Sequence, residues 1–346
     1  MFIKNCWYVV AWSDEVPDHG FLTRTVINMP LVLWRDSEGR IIAFEDRCCH
    51  RAAPLSMGRQ EGDCITCMYH GLKFDSTGSC IEIPSQTRIP PQAKVRSFPL
   101  VEQHKWIWVW MGDAEKADPS MIPDTHWLDD PNWASQDGGY IHYDVNYLLI
   151  TDNLLDFSHL PYVHPTTLGG SEDYAKKPAK VERSDRAVKI TRWALDIDPP
   201  PFVQKAKSFE GKVDRWNIYD FVLPGILIMD SGMAPANTGA TEGTRKDAAQ
   251  FRGCQAITPE TDNSTHYFYA HPNDFVFDKK TVAEIHKMIA VAFEEDREII
   301  TAQNRQLELD PDFTMLPLAI DSALSQFRWL VDKYVAEERK EKSNVA

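Results

Sequence analysis

Residues 47–74 read RCCHRAAPLSMGRQEGDCITCMYHGLKF, and this stretch decides what kind of domain opens the 346-residue chain. It holds Cys48-x-His50 and, after sixteen intervening residues, Cys67-x-x-His70. Two Cys–His pairs at that separation suit either zinc or iron. A zinc finger takes its cysteines from one knuckle and its histidines from a helix. Here each knuckle offers one thiolate and one imidazole, and the flanking sequence reads as strand. LVLWRDSEGRIIAFED (31–46) and KFDSTGSCIEI (73–83) each place turn residues between β-rich runs, and KWIWVWMGD (105–113) closes the series.

One thiolate and one imidazole from each of two β-hairpins is the ligand pattern of a Rieske [2Fe-2S] centre, with two thiolates on one iron and two imidazoles on the other. We therefore expect residues 1–118 to form an all-β domain around such a cluster, with Cys48, His50, Cys67 and His70 as its ligands. Cys49, Cys64 and Cys80 read as small buried hydrophobes. GDAEKADPSMIPD (112–124), polar and carrying two prolines, marks the passage to a second domain, residues 119–346.

That second part mixes helical signals (LLITDNLLDFSHL, 148–160; TVAEIHKMIAVAFEEDREIITAQN, 281–304) with strand-like ones (AVKITRWALDI, 187–197; NIYDFVLPGILIM, 217–229; HYFYAHP, 266–272) and reads as α+β. Asp156, His159 and His164 follow the order D-x-x-H-x-x-x-x-H. On a helix Asp156 and His159 share a face, but His164 points about 140° away from His159. Pro161 is expected to kink or break the helix and redirect His164. In the late helix Val282, Ile285, Ile289, Phe293 and Ile300 fall within a stripe roughly 80° wide, and Asp296 lies on it. Glu294, Glu295 and Glu298 point elsewhere and read as a solvated face. A carboxylate on a buried face must be paired, neutralised or metal-bound. Two histidines and one carboxylate make a facial triad that leaves positions open on Fe(II); structural histidines and a salt-bridged aspartate are the plainer alternative. Asp152 and Asn153 read either as supports of the site or as helix surface.

Composition narrows the classes. A net charge of −14 repels phosphate backbones and leaves no basic patch for nucleic acid. Apolar runs such as ILIM (226–229) fall far short of the roughly 20 residues of a membrane span. The opening MFIKNCWYVVAWSDE has neither the aliphatic core nor the cleavage site of a signal peptide, and seven cysteines are an odd, sparse set for a secreted scaffold. A cytoplasmic location is expected. No Gly-rich dinucleotide fingerprint follows a strand, so NAD(P)H and flavin belong to a separate reductase or ferredoxin.

Taken together, the motifs resemble the oxygenase subunits of Rieske non-heme iron oxygenases, over nearly the whole chain from NCWYVVAW to RWLVDKYVAEE. GDCITCMYHGLKF, IHYDVNY, DNLLDFSHLPYVHPTTLG, QAITPET and AFEEDR look like the branch that includes vanillate O-demethylase, dicamba O-demethylase and toluenesulfonate methyl-monooxygenase. The proline that usually follows each first cysteine is replaced by Cys49 and Met68. The resemblance implies an antiparallel sheet in the catalytic domain, one Rieske cluster, and one mononuclear Fe(II) on His159, His164 and Asp296, with O2 as co-substrate. It also implies a catalytic role for Asp156, which bridges by hydrogen bonds to a Rieske histidine of the neighbouring subunit in a homotrimer.

The expected activity is hydroxylation of a small aromatic acid at a methoxy or methyl group. A methoxy carbon would leave as formaldehyde, and a methyl group would become an alcohol. Ring cis-dihydroxylation uses the same metals and stays open; a bare Rieske electron carrier would not need the second domain. Loose similarity to pocket walls in this branch points to Trp216, Asn217, Met229, Asp230, Gln255 and Phe293 around the substrate.

Overall fold

The computed structural model describes residues 1–135, 138–169, 172–200, 203–204 and 207–345, and within it the chain divides into two compact units. One is Phe2–Ile122 together with Thr258–Asp262; the other takes in Pro123–Ile257 and the chain from Asn263 onward.

In the first unit the described residues build three small antiparallel sheets. β1 (Trp7–Trp12), β10 (Trp106–Trp110) and β9 (Leu100–Gln103) pair in the order β1-β10-β9. β2 (Leu22–Val26), β3 (Met29–Arg35) and β4 (Ile41–Glu45) make a meander. β5 (Arg59–Glu61), β6 (Cys64–Thr66), β7 (Lys73–Phe74) and β8 (Cys80–Glu82) make the third sheet. The Ser-Glu-Gly break between β3 and β4 turns because the Asp36 carboxylate accepts from the N–H groups of Glu38 (3.0 Å) and Arg40 (2.9 Å). Large rings fill the interior: Trp34, Trp106, Trp108 and Trp110 are all fully buried.

The second unit is built on a seven-stranded antiparallel sheet. Its strands are β11 (Gly139–Tyr143), β12 (Lys180–Arg183), β13 (Ala187–Ile197), β14 (Val213–Val222), β15 (Ile226–Pro235), β16 (Ala249–Thr261) and β17 (Ser264–Ala270), in the order β11-β17-β16-β15-β14-β13-β12. Helices α1 (Tyr147–Leu155), α2 (Leu160–Val163), α3 (Lys279–Leu309) and α4 (Ser322–Val345) accompany it. The fold is therefore α+β, an all-β first part followed by a sheet-and-helix second part.

α3 is capped by the Asp278 side chain, which accepts from Thr281 N–H at 2.9 Å. Its buried face carries Val282, Ile285, Ile289, Phe293 and Ile300 together with Asp296, which is 5% exposed. Five apolar side chains at about 1.5–3 kcal/mol each outweigh the several kcal/mol that one enclosed carboxylate costs, so the helix stays docked with Asp296 inside. No helix among the described residues is long and apolar enough to cross a membrane.

Candidate active site

The chain does not kink at Pro161. α1 already ends at Leu155, and Asp156 sits at the break in an extended conformation (φ −133°, ψ 106°). The Asp156 carboxylate then caps the next turn, accepting from Ser158 N–H at 2.9 Å and from the Ser158 hydroxyl. Pro161 falls in the first turn of α2, where its missing N–H costs nothing. Two short turns after a break, rather than one bent helix, carry His159 and His164 round to the same point.

The Nδ1 atom of each ring is occupied. His159 Nδ1 lies 2.7 Å from the Asp156 carbonyl oxygen, and His164 Nδ1 lies 2.8 Å from Glu295 Oε2. Both contacts place a proton on Nδ1, so that in the neutral ring each Nε2 offers a lone pair. Those two Nε2 atoms converge on Asp296 Oδ1, at 3.5 Å from His159 and 3.1 Å from His164. One ligand atom from each of the three residues lies within 4.8 Å of the others. Asn153, on α1, donates from Nδ2 to Asp296 Oδ1 at 2.9 Å and holds the carboxylate in place.

His164 Nε2 is buried and, despite its distance to Asp296, makes no hydrogen bond. A buried imidazole nitrogen 3.1 Å from a carboxylate oxygen, with a second imidazole nitrogen facing the same oxygen, fits a divalent cation with nitrogen and oxygen ligands. Burial pushes the His159 pKa down, as a metal ligand requires. For His164 burial acts in the same direction, but Asp296 and Glu295 outweigh it and raise the pKa. Glu295 thus belongs to the site rather than to the solvated face expected for it; the Thr167 hydroxyl also donates to its Oε2 at 2.9 Å. Asn153 and Asp152 part company: Asn153 supports Asp296, whereas Asp152 pairs with Arg328 of α4.

A cavity opens on this group. Phe157, Ile289 and Phe293 line it from the helices, and Asn217, Met229 and Gln255 line it from the sheet. Asp230 and Trp216 do not, which corrects their assignment as pocket residues. Side chains alternate along a strand, so a face that shows Asn217 and Met229 must hide Trp216 and Asp230. On the far face Trp216 donates from Nε1 to Asp230 Oδ1 (3.0 Å), and Asp230 is ion-paired with Arg245 (2.8 Å) and Arg252 (2.7 Å). The same alternation brings in Arg215, Ser231 and Phe251, and His271 joins them from beyond β17; none of these four had a spacing signal of its own.

In the first unit, Cys48 and His50 follow β4, and Cys67 and His70 sit in the turn from β6 to β7. Each loop closes on its cysteine. Ala52 N–H donates to the Cys48 carbonyl at 3.0 Å, and Gly71 N–H to the Cys67 carbonyl at 2.9 Å. Gly71 adopts φ +74°, a left-handed conformation that a side chain would strain. Cys48 and Cys67 are buried, whereas His50 and His70 are exposed with ring centroids 4.6 Å apart. Burial, reinforced by the Cys67 thiol beside it, pushes the Cys48 pKa up to about 12. Two buried thiols and two exposed imidazoles fit the ligand set of a [2Fe-2S] cluster with thiolates on one iron and imidazoles on the other. All seven cysteines are free; Cys80 is buried as expected, but Cys49 is exposed and Cys64 only half-buried.

Fold and site define a class: an oxygenase subunit that joins a Rieske domain to a mononuclear iron domain. The Rieske [2Fe-2S] domain family matches residues 6–99, and the vanillate O-demethylase oxygenase C-terminal domain family matches residues 143–337. The chain is 48% identical to the toluene-4-sulfonate monooxygenase system iron-sulfur subunit TsaM1 of Comamonas testosteroni, covering 98% of each chain. It is 35% identical to a vanillate O-demethylase oxygenase subunit of a Pseudomonas species, over 98% of this chain and 97% of that one. A crystal structure of dicamba monooxygenase with non-heme iron and dicamba superposes with a TM-score of 0.83 at 30% identity, over 98% of this chain and 99% of the other.

The chain belongs to the vanillate O-demethylase oxygenase family of Rieske-type oxygenases. Its cofactors are one Rieske [2Fe-2S] cluster and one mononuclear Fe(II), with O2 as co-substrate.

Proposed function

We propose that this protein is the terminal oxygenase of a monooxygenase system that hydroxylates a small aromatic acid at a methoxy or methyl group. The observation that carries the reading is the convergence of His159 Nε2, His164 Nε2 and an Asp296 oxygen at the wall of a largely apolar cavity. In this reading His159, His164 and Asp296 hold the mononuclear iron, Cys48 and Cys67 hold one iron of the cluster, and His50 and His70 hold the other. The ferrous ion supplies O2 activation, and the cluster supplies electrons. The chain's own residues do the rest. Glu295 and the Asp156 carbonyl fix the two rings, Asn153 fixes the carboxylate, and Phe157, Ile289 and Phe293 exclude water from the reacting carbon. Asn217, Met229 and Gln255 form the opposite wall.

Toluene-4-sulfonate and vanillate, named for two of the relatives, are both aromatic anions, which supports the substrate class. Electrons come from NAD(P)H through a separate reductase or ferredoxin. Residues 1–118 receive them and residues 119–346 carry out the chemistry, in a cytoplasmic homotrimer in which Asp156 bridges one subunit's iron site to a Rieske histidine of the next. The test is NADH-dependent oxygen uptake with a surrogate reductase across a panel of methoxy- and methyl-substituted aromatic acids, with products quantified. An alcohol, or a phenol with formaldehyde, in step with oxygen consumed is expected; a cis-diol would contradict the monooxygenase reading.

A further inference from the structure

Arg215 lies on β14, 5% exposed, and its side chain lines the cavity beside the metal group. Its Nη1 donates to the Gly169 carbonyl at 3.1 Å and its Nη2 to the Leu168 carbonyl at 3.3 Å. Its guanidinium packs on the Tyr174 ring, 4.6 Å from the centroid. Among the described residues no carboxylate pairs with it. The neighbouring cation has one: Arg192, which also packs on the Tyr174 ring, faces Asp156 at 3.4 Å. Arg215 is therefore a charged group taken out of water with two of its five N–H donors used, both on neutral carbonyls. A buried ion left without a counter-charge is costly, and burial with Arg192 nearby already pushes its pKa down. The loop it touches has no slack: a Cβ on Gly169 would lie 2.3 Å from the Leu160 carbonyl oxygen, so the two carbonyls stay where they hold the guanidinium.

We infer that Arg215 is the specificity-determining residue of the cavity, receiving the anionic group of the aromatic substrate as its missing counter-charge. This rests on the substrate class proposed above and names the residue that selects it. The guanidinium fork matches the planar oxygens of a carboxylate or two oxygens of a sulfonate. Tyr174 fixes the fork's plane, and the Tyr174 hydroxyl donates to Asn217 Oδ1 at 2.7 Å, which ties that plane to the next side chain on the same face of β14. With the anion held there, the far end of the ring is the part left to meet the metal group.

The experiment measures binding to the iron-loaded holoenzyme by calorimetry, using two matched pairs: p-toluenesulfonate against methyl p-tolyl sulfone, and 4-methylbenzoate against its methyl ester. Wild type is expected to prefer the anion of at least one pair by about tenfold to a hundredfold, the range of a charged hydrogen bond in a dry site. Arg215→Gln should abolish that preference while the cluster spectrum and iron content stay unchanged, and Arg215→Lys should restore only part of it. Equal affinity of wild type for both members of each pair, or a preference that survives in R215Q, overturns the inference. So does a loss of iron in both variants with anion and neutral probe weakened alike, since that is the signature of a residue that only clamps the loop after His164. Turnover is scored separately: anion-selective binding without oxygenated product would count against the proposed reaction and leave Arg215's role standing.

Discussion

Glu295 Oε2 lies 2.8 Å from His164 Nδ1, one residue away from the aspartate that His164 faces with its other nitrogen. Consecutive positions on α3 thus act on opposite edges of one imidazole. Asp296 comes from the buried face, and Glu295 reaches in from the margin of the helix. The carboxylate that accepts from Nδ1–H fixes the ring's tautomer and orientation, and such partners typically change metal affinity or activity 10- to 100-fold. Glu295→Ala is expected to weaken retention of the mononuclear iron by about that factor, and Glu295→Gln, which keeps an acceptor oxygen, by less. Iron retained against a graded chelator measures it, and identical retention in wild type and E295A would show that the contact plays no part.

Asp156 has two faces. Its backbone carbonyl holds His159, while its carboxylate caps the turn at Ser158 and meets Arg192. Asp156→Asn leaves the carbonyl untouched, so both metals should remain in full. In the proposed trimer, what should change is electron arrival from the neighbouring subunit's cluster, with kcat down by about tenfold or more. Single-turnover mixing of prereduced enzyme with O2 reads the step directly, and an unchanged rate of cluster oxidation would remove the bridging role.

His271 supplies a pH dependence. Enclosure, with His286 adding to it, pushes its pKa down to about 3, against roughly 6.5 in an unfolded chain. Between those values the unfolded state binds a proton that the folded state refuses. Stability present above about pH 6.5 is therefore lost as pH falls toward 3, at up to about 1.4 kcal/mol per pH unit. Denaturant unfolding of wild type and His271→Gln at pH 7, 6 and 5 should give curves whose separation shifts with pH, wild type losing more on acidification. A constant separation would mean that the ring is not kept neutral by the fold.

The proposed metal ligands were legible in the sequence because their chemistry demands rare residue types at fixed spacing. Cys48-x-His50, Cys67-x-x-His70 and the D-x-x-H-x-x-x-x-H run stand out from any background. Asp296 was legible for another reason: a carboxylate on an apolar stripe contradicts its own helix. Glu295 was not, because 100° round the helix it looks like any solvated glutamate until a tertiary partner is known. The break at Asp156 was missed because Pro161 is the louder signal, although a proline is at ease in a first turn. On β14 and β15 the period of two says only that Asn217 and Trp216 face opposite ways. Which of the two faces the cavity depends on where α1 and α3 pack, and no local pattern in the strand encodes it. Arg215 was hidden for the same reason.

The most direct measurement is iron per chain, read beside the cluster's visible spectrum, in wild type and in Asp296→Ala. Wild type should carry three irons, two in the cluster and one at the mononuclear site. Asp296→Ala should carry two, with the spectrum unchanged and oxygenation abolished, while Cys67→Ser should lose the spectrum itself. Three irons and full activity in D296A would contradict the assignment of His159, His164 and Asp296 as the site where O2 is used.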